Sequence, residues 1–114
     1  MVEQQTRRLD RVFGALSDPT RRAIVARLSR RPATVGEIAA PFAISLAAVS
    51  KHVQVLERAG IVHRDIRGRT HHCSLERDAL RSAADWVERY HRFWDARLDA
   101  LEQVLEARRA PKRR

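Results

Sequence analysis

The stretch TVGEIAAPFAISLAAVSKHVQVLERAG, residues 34–60, decides the fold of this chain. Thr34 and Glu37 stand at the capping-box spacing, where each side chain satisfies the other residue's exposed backbone N–H, so a helix begins at Val35. It is short, because Pro41 disfavours helical geometry at Ala40 and leaves about two turns before the chain breaks across Phe42 to Ile44. Ser45 then caps a longer helix running to Ala59, with Val49, Val53 and Leu56 as its inward face and Gly60 as its left-handed stop. A short helix, a tight break and a second helix opened by Ser45 make a helix-turn-helix.

Working towards the N-terminus, Leu9, Val12, Phe13 and Leu16 recur at three- and four-residue spacing, the pattern of an amphipathic helix of about ten residues that ends near Ser17. Asp18 before Pro19 opens a second helix, since Asp accepts from free backbone N–H groups and Pro tolerates the first helical position. Ala23, Ile24 and Leu28 form its expected buried stripe, and it stops before Pro32. Towards the C-terminus, two strands, Val62 to Ile66 and Thr70 to Leu75, are joined by Arg67, Gly68 and Arg69, where Gly permits the tight turn. From about Arg77 to Glu106, Leu80, Ala83, Val87, Trp94, Leu98, Leu101 and Leu105 mark a long final helix. That stripe is longer than one small domain can cover, so part of it is expected to pack on a second copy of the chain.

The resulting order, α-α-α-α-β-β-α, is mainly α with a small β-hairpin, the architecture of a winged helix-turn-helix. The length of 114 residues allows one domain with one modest core, here expected over 1–106. Residues 107–114 contain no acidic residue and end in Pro111-Lys-Arg-Arg114, and are expected to be a disordered basic tail. The formal charge of +9 is unevenly placed: residues 1–18 are neutral, 19–74 carry +7, 75–106 carry −3 and 107–114 carry +5. A basic block of that kind points to a polyanionic partner, nucleic acid or an anionic membrane surface, with a solvated basic face as the bland alternative. The longest run without Asp, Glu, Lys or Arg, Ile38 to Ser50, is 13 residues and contains Pro41, well short of the roughly 18 apolar residues of a membrane span. Glu3, Arg7, Arg8, Asp10 and Arg11 occupy the place of a signal peptide's apolar core, so a cytoplasmic location is expected.

An α-helix fits the major groove of B-DNA, and the preceding helix braces it across the backbone. The second helix of the motif offers Ala47, Ala48, Ser50, Lys51, His52 and Gln54 for contact with DNA. Ala47 and Ala48 can meet thymine methyl groups, Ser50 and Gln54 can hydrogen-bond to bases, and Lys51 and His52 can meet phosphates or guanine. Thr34 and Ser45 at the two helix starts join them, and Arg67 and Arg69 at the hairpin tip form a probe for a phosphate or the minor groove. The expected partners are double-stranded DNA and a second copy of the chain, with no membrane and no cofactor.

The segments Phe13-Gly-Ala-Leu-Ser-Asp-Pro-Thr-Arg-Arg-Ala-Ile-Val25, Val35-Gly-Glu-Ile-Ala39, Val49-Ser-Lys-His-Val-Gln-Val-Leu56, Ala59-Gly-Ile-Val62 and Arg67-Gly-Arg69 resemble the ArsR family of bacterial winged-helix repressors over roughly residues 8 to 105. The resemblance implies a homodimer built from the first and last helices, with Leu9, Val12, Phe13, Trp94, Leu98, Leu101 and Leu105 at its interface, bound to a palindromic operator near a promoter. The chain departs from the family pattern at three places. Leu46 stands where a polar residue commonly starts the recognition helix, which leaves one hydrogen-bonding base contact open. Ala43 replaces a frequent turn glycine, so either the turn avoids positive φ or it carries strain. His71, His72 and Cys73 replace residues usually aliphatic or aromatic in the second wing strand.

The family's metal sites find no match. Val35 to Ala43 contains no Cys or His, and Val87 takes the place that a His would fill after Asp85. Asp85, Glu88, His91 and Asp95 share a face of the last helix and read as a charged surface pairing with Arg89 and Arg92, with zinc across a dimer as the alternative. Only His71 and Cys73 share a side of their strand, too few ligands for a structural zinc, and Cys73 is expected to be a buried apolar residue, with thiol redox sensing as the alternative. No phosphate-binding Gly-rich loop or nucleophile elbow appears, so no enzyme is expected. The function expected is a dimeric repressor without metal ligands, set against a metal- or thiol-responsive repressor and a non-specific basic interaction module.

Overall fold

The computed structural model describes residues 2–109, a mainly helical chain with a small three-stranded antiparallel sheet. Its elements are α1 (Val2–Ala15), α2 (Pro19–Leu28), β1 (Ala33–Thr34), α3 (Val35–Ala39), α4 (Leu46–Arg58), β2 (Val62–Arg67), β3 (Thr70–Leu75) and α5 (Arg77–Arg109).

The helix boundaries follow from local hydrogen bonding. The Asp18 carboxylate accepts from the Arg21 N–H at 3.0 Å, with Pro19 at the start of α2. The Thr34–Glu37 capping box closes both ways, the Thr34 N–H donating to Glu37 Oε1 and the Glu37 N–H to Thr34 Oγ1, each at 3.1 Å. Ser45 Oγ accepts from the Ala48 N–H at 3.1 Å and opens α4. At the other end Gly60 takes φ +76°, its N–H donates to the Glu57 carbonyl and the Ile61 N–H to the Leu56 carbonyl, both at 3.0 Å, the paired closure of a Schellman motif. The turn between α3 and α4 avoids positive φ, for no described non-glycine residue adopts it, so Ala43 sits there without that strain.

The sheet has order β1-β3-β2, one strand more than the hairpin expected from the sequence. Ala33 pairs with Cys73 and Thr34 with His72. The extra strand is a by-product of capping: an N-cap needs extended backbone, Thr34 has φ −77° and ψ 161°, and that conformation aligns it with the open edge of β3. β2 also runs one residue beyond Ile66, to Arg67, so the hairpin loop is the two residues Gly68 and Arg69, with Gly68 at φ +63°.

The core joins Val12, Ile24, Ile38, Val49, Val53, Leu56, Ile61 and Cys73, all essentially inaccessible. Ile24 and Leu28 are buried as expected, whereas Ala23 is exposed, because neighbours on a helix are about 100° apart and Ile24 already points inward. Val12, expected at an interface with a second copy, is 2 % exposed and belongs to this chain's own core, which leaves Leu9 and Phe13 half-buried beside it.

Backbone contacts group the chain into a first unit ending at Ala83 and a second beginning at Ala84. In the first unit α5 contributes Ala79 and Ala83 to the core. In the second it is a bare helix: none of residues 84–109 is buried, and Val87, Tyr90, Phe93, Trp94, Leu98 and Leu101 are about half exposed. α5 also continues past Glu106, so residues 107–109 of the expected disordered tail are helical. Ala107, Arg108 and Arg109 are good helix formers, and two cations at a helix C-terminus complement its dipole. The remainder of that tail, 110–114, lies outside the described residues.

Candidate nucleic-acid interface

α4 turns one face into the core and the opposite face outward. Val49, Val53 and Leu56 are buried, and at about 100° per residue the opposite face carries Ala47, Lys51, Gln54 and Arg58, with Ser50 on its flank and Leu46 in the first turn, uncovered at the helix start although its direction lies near the buried row. All of these are exposed except Ser50, which is half-buried. Ala48, a sequence candidate for base contact, lies half-buried on the flank of the helix. The outward face is therefore narrower than the sequence reading drew it.

His52 is the clearest departure. It follows Lys51 in sequence but stands on the far flank, next to the buried row, and its ring turns back into the protein. Nδ1 lies 3.4 Å from Arg21 Nη1 and 3.8 Å from Asp18 Oδ2. Arg21 in turn donates from Nε to the Ala15 carbonyl at 2.6 Å and from Nη2 to the Gly14 carbonyl at 3.3 Å, while Arg22 donates to the Leu16 carbonyl at 2.7 Å. These carbonyls lie at the C-terminal end of α1, where helical partners run out; the two arginines of α2 donate to all three, and the Gly14 carbonyl also accepts from the Ser17 N–H and hydroxyl. The backbone N–H of Arg21 holds the Asp18 carboxyl below its ordinary range against the opposing desolvation, with lesser help from His52 and the Arg21 guanidinium. One guanidinium thus ties the end of α1, the start of α2 and the back of α4 into a single junction. The consecutive motif Ser-Asp-Pro-Thr-Arg-Arg, residues 17–22, is the local sequence that builds it.

The wing stands beside the outward face of α4. Thr34, Val35 and Gly36 of the β1–α3 corner, Leu46, Ala47 and Ser50 of α4, and Arg69, Thr70 and His71 of the wing line one open groove of about 550 Å³. Sequence reasoning had placed Thr34, Ala47, Ser50 and Arg69 in the interface, and the structure brings these four together. It had not included Leu46, Thr70 or His71. The signal for Thr70 and His71 was the pairing of Arg67 with Thr70 and Ile66 with His71, which sets them at the wing tip.

Not all of the basic block faces outward. Arg64 follows the strand alternation inward from Val62; its side chain is 9 % exposed, with Nη1 3.0 Å from His71 Nδ1 and Nε 3.6 Å from Glu57 Oε1. Arg67, expected as a DNA probe, holds Asp65 at 3.0 Å. Arg69 is exposed and lines the groove, and Lys51 is exposed on the outward face of α4.

Cys73 is fully buried, and burial pushes its thiol pKa up, against the opposing pull of the Arg64 guanidinium. On α5 His91 pairs with Asp95 at 3.1 Å and Arg92 with Glu88 at 3.6 Å, the one-turn spacing of a helix surface. No group of three or more His, Cys, Asp or Glu placed to hold a metal occurs among the described residues. No helix among them is long and apolar enough to cross a membrane.

Comparison with known proteins places this geometry in context. A family model described as a helix-turn-helix domain matches residues 16–65, from the end of α1 through most of β2. The HTH-type transcriptional regulator Rv2034 of Mycobacterium tuberculosis is 36% identical over 98 residues, 86% of this chain and 89% of its own length. The transcriptional repressor SdpR of Bacillus subtilis is 34% identical over 79 residues, 69% of this chain and 88% of its own length. The crystal structure of an ArsR family transcriptional regulator, RHA00566, superposes with a TM-score of 0.74 at 38% identity, covering 79% of this chain and 93% of that one.

Proposed function

The chain belongs to the ArsR-like family of helix-turn-helix transcriptional regulators, a DNA-binding fold and not an enzyme, and on that premise we propose that it is a homodimeric repressor reading a palindromic operator. The observation that carries the reading is α4, where Ala47 and Ser50 line one groove with Arg69 of the wing and Lys51 and Gln54 are exposed, in the region of highest positive charge. Small residues at the helix start let the backbone approach base edges, Ser50 and Gln54 offer hydrogen bonds to them, and Lys51 and Arg69 meet phosphates.

A second copy supplies two-fold symmetry. The exposed row Trp94, Leu98, Leu101 and Leu105, extended by Val87, is the surface that such a partner would cover, and Leu9 and Phe13 of α1 would contribute as well. Two α4 helices would then enter successive major grooves about 34 Å apart. Repression follows from occupying a site that overlaps a promoter, including the chain's own, and the similarity to a protein named a transcriptional repressor supports that sign. The place of action is where the DNA is, the cytoplasm. The basic residues 107–114 would add salt-sensitive affinity without sequence preference.

The test is genome-wide mapping of bound sites with the tagged full chain, followed by affinity measurements on the recovered duplexes across a salt series. A recurrent two-fold-symmetric site whose affinity drops with Lys51→Ala and Arg69→Ala together is expected. Equal binding to unrelated duplexes and to heparin, with no preferred site, would overturn the reading in favour of a non-specific basic module.

A further inference from the structure

Leu46 is the large apolar residue that the protein places at the mouth of its reading helix without using it in the core. It is the first residue of α4, directly after the Ser45 cap, and 58 % of it is exposed. With Ala47 and Ser50 it forms one wall of the groove whose other wall is Arg69, Thr70 and His71. An occupant of this groove must present an apolar group to Leu46 and Ala47 while carrying negative charge towards Arg69. On the major-groove edge of DNA the 5-methyl of thymine is the apolar group, and the phosphates on either side supply the charge. A helix start is also where recognition helices reach base edges.

On the premise of the DNA-binding function proposed above, we infer that Leu46 is a specificity-determining residue that reads the 5-methyl group of a thymine in each half-site, with Ala47 beside it leaving the backbone room to approach. A polar residue at this position would read a base by hydrogen bonding. Leu46 instead selects by contact with a methyl group, and it penalises cytosine, whose exocyclic amine would lose water against an apolar side chain. Removing one buried methyl contact is worth a factor of roughly four, and roughly fifteen when both half-sites of a dimer lose it.

The experiment replaces thymines of the mapped site, one symmetric pair at a time, with 2′-deoxyuridine, which removes the methyl and keeps the base pair. Affinity is measured by fluorescence anisotropy at fixed salt for the full-length wild type, Leu46→Ala and Leu46→Met. Because Leu46 is exposed and Ala is a good helix former, Leu46→Ala keeps the fold, checked by its far-UV circular dichroism. At one symmetric pair the wild type is expected to lose about tenfold or more, Leu46→Met to keep most of that sensitivity, and Leu46→Ala to bind both duplexes alike. A preferred site at which deoxyuridine is neutral everywhere, or costs Leu46→Ala as much as the wild type, overturns this inference and leaves the regulator standing. Absence of any preferred site overturns both.

Discussion

Substituting His52 and Lys51 separately distinguishes a residue that positions the reading helix from one that touches the DNA backbone. Lys51 is exposed on the outward face, and each phosphate neutralised by a lysine contributes about 0.9 to the slope of log affinity against log salt. A symmetric dimer carries the contact twice, so Lys51→Ala should flatten the slope by about 1.8. Between 50 and 200 mM salt, that makes the ratio of wild-type to variant affinity shrink by about twelvefold. His52→Ala removes something different. Its ring lies 3.4 Å from the Arg21 guanidinium and 3.8 Å from the Asp18 carboxylate, on the side of α4 that faces the protein. These separations are long for strong bonds, so the loss is at the low end of the hydrogen-bond range, roughly 1 kcal/mol or less. Affinity should fall severalfold by the same factor at every salt concentration. Anisotropy titrations of one duplex at four salt concentrations read both slopes. If His52→Ala flattens the slope as Lys51→Ala does, His52 meets a phosphate and the placement of its ring against α2 is wrong.

Three further outcomes follow from the geometry. Leu98 is 56 % exposed, so covering it against a partner gains about half the value of fully burying a leucine, near 1 kcal/mol, and a symmetric dimer gains it twice. Leu98→Ala should therefore weaken dimerisation about 30-fold in sedimentation equilibrium while leaving the first unit folded; an unchanged dimer constant would remove that row from the interface. The Asp18 and Glu37 carboxyls, both held low by backbone N–H donors, stabilise the fold above the ordinary carboxylate pKa and lose that contribution as pH falls through their lowered values. Denaturant midpoints should accordingly drop below about pH 4, and Asp18→Asn with Glu37→Gln should flatten the drop; an equally steep loss in the double variant would contradict it. Cys73, buried and with its pKa raised, should resist a thiol reagent at neutral pH in the native protein and react promptly once denatured, and fast native labelling would count against a purely packed thiol.

Much of the first unit was legible because its signals are local. Asp18, Thr34 and Ser45 cap their helices through bonds that span three residues, and Gly60 and Gly68 mark left-handed positions that other residues rarely adopt. Such features depend on no distant partner. β1 was not legible, since two residues carry no periodicity and their pairing with Cys73 and His72 is settled some forty positions away. The placement of His52 against α2 was not legible because a run of residues was taken as one face, although successive residues on a helix point about 100° apart and Val49, Val53 and Leu56 already fixed the inward direction. Arg64 hid within a favourable charge count, and only strand alternation with Val62 betrays its inward course. The apolar row of α5 was visible in the sequence as excess length, and the structure gives it as exposed side chains.

The junction at Arg21 has a consequence for how such a protein can change its target. The residues that hold α4 in place, Val49, His52, Val53 and Leu56, are distinct from those left open to a partner, the exposed Leu46 at the helix start and Ala47, Ser50, Lys51 and Gln54 beyond it. A helix anchored from behind can be rewritten in front. Exchanging the outward residues one at a time should redirect the chain to new DNA with little loss of stability, so that binding preference and foldedness can drift independently within a single thirteen-residue helix.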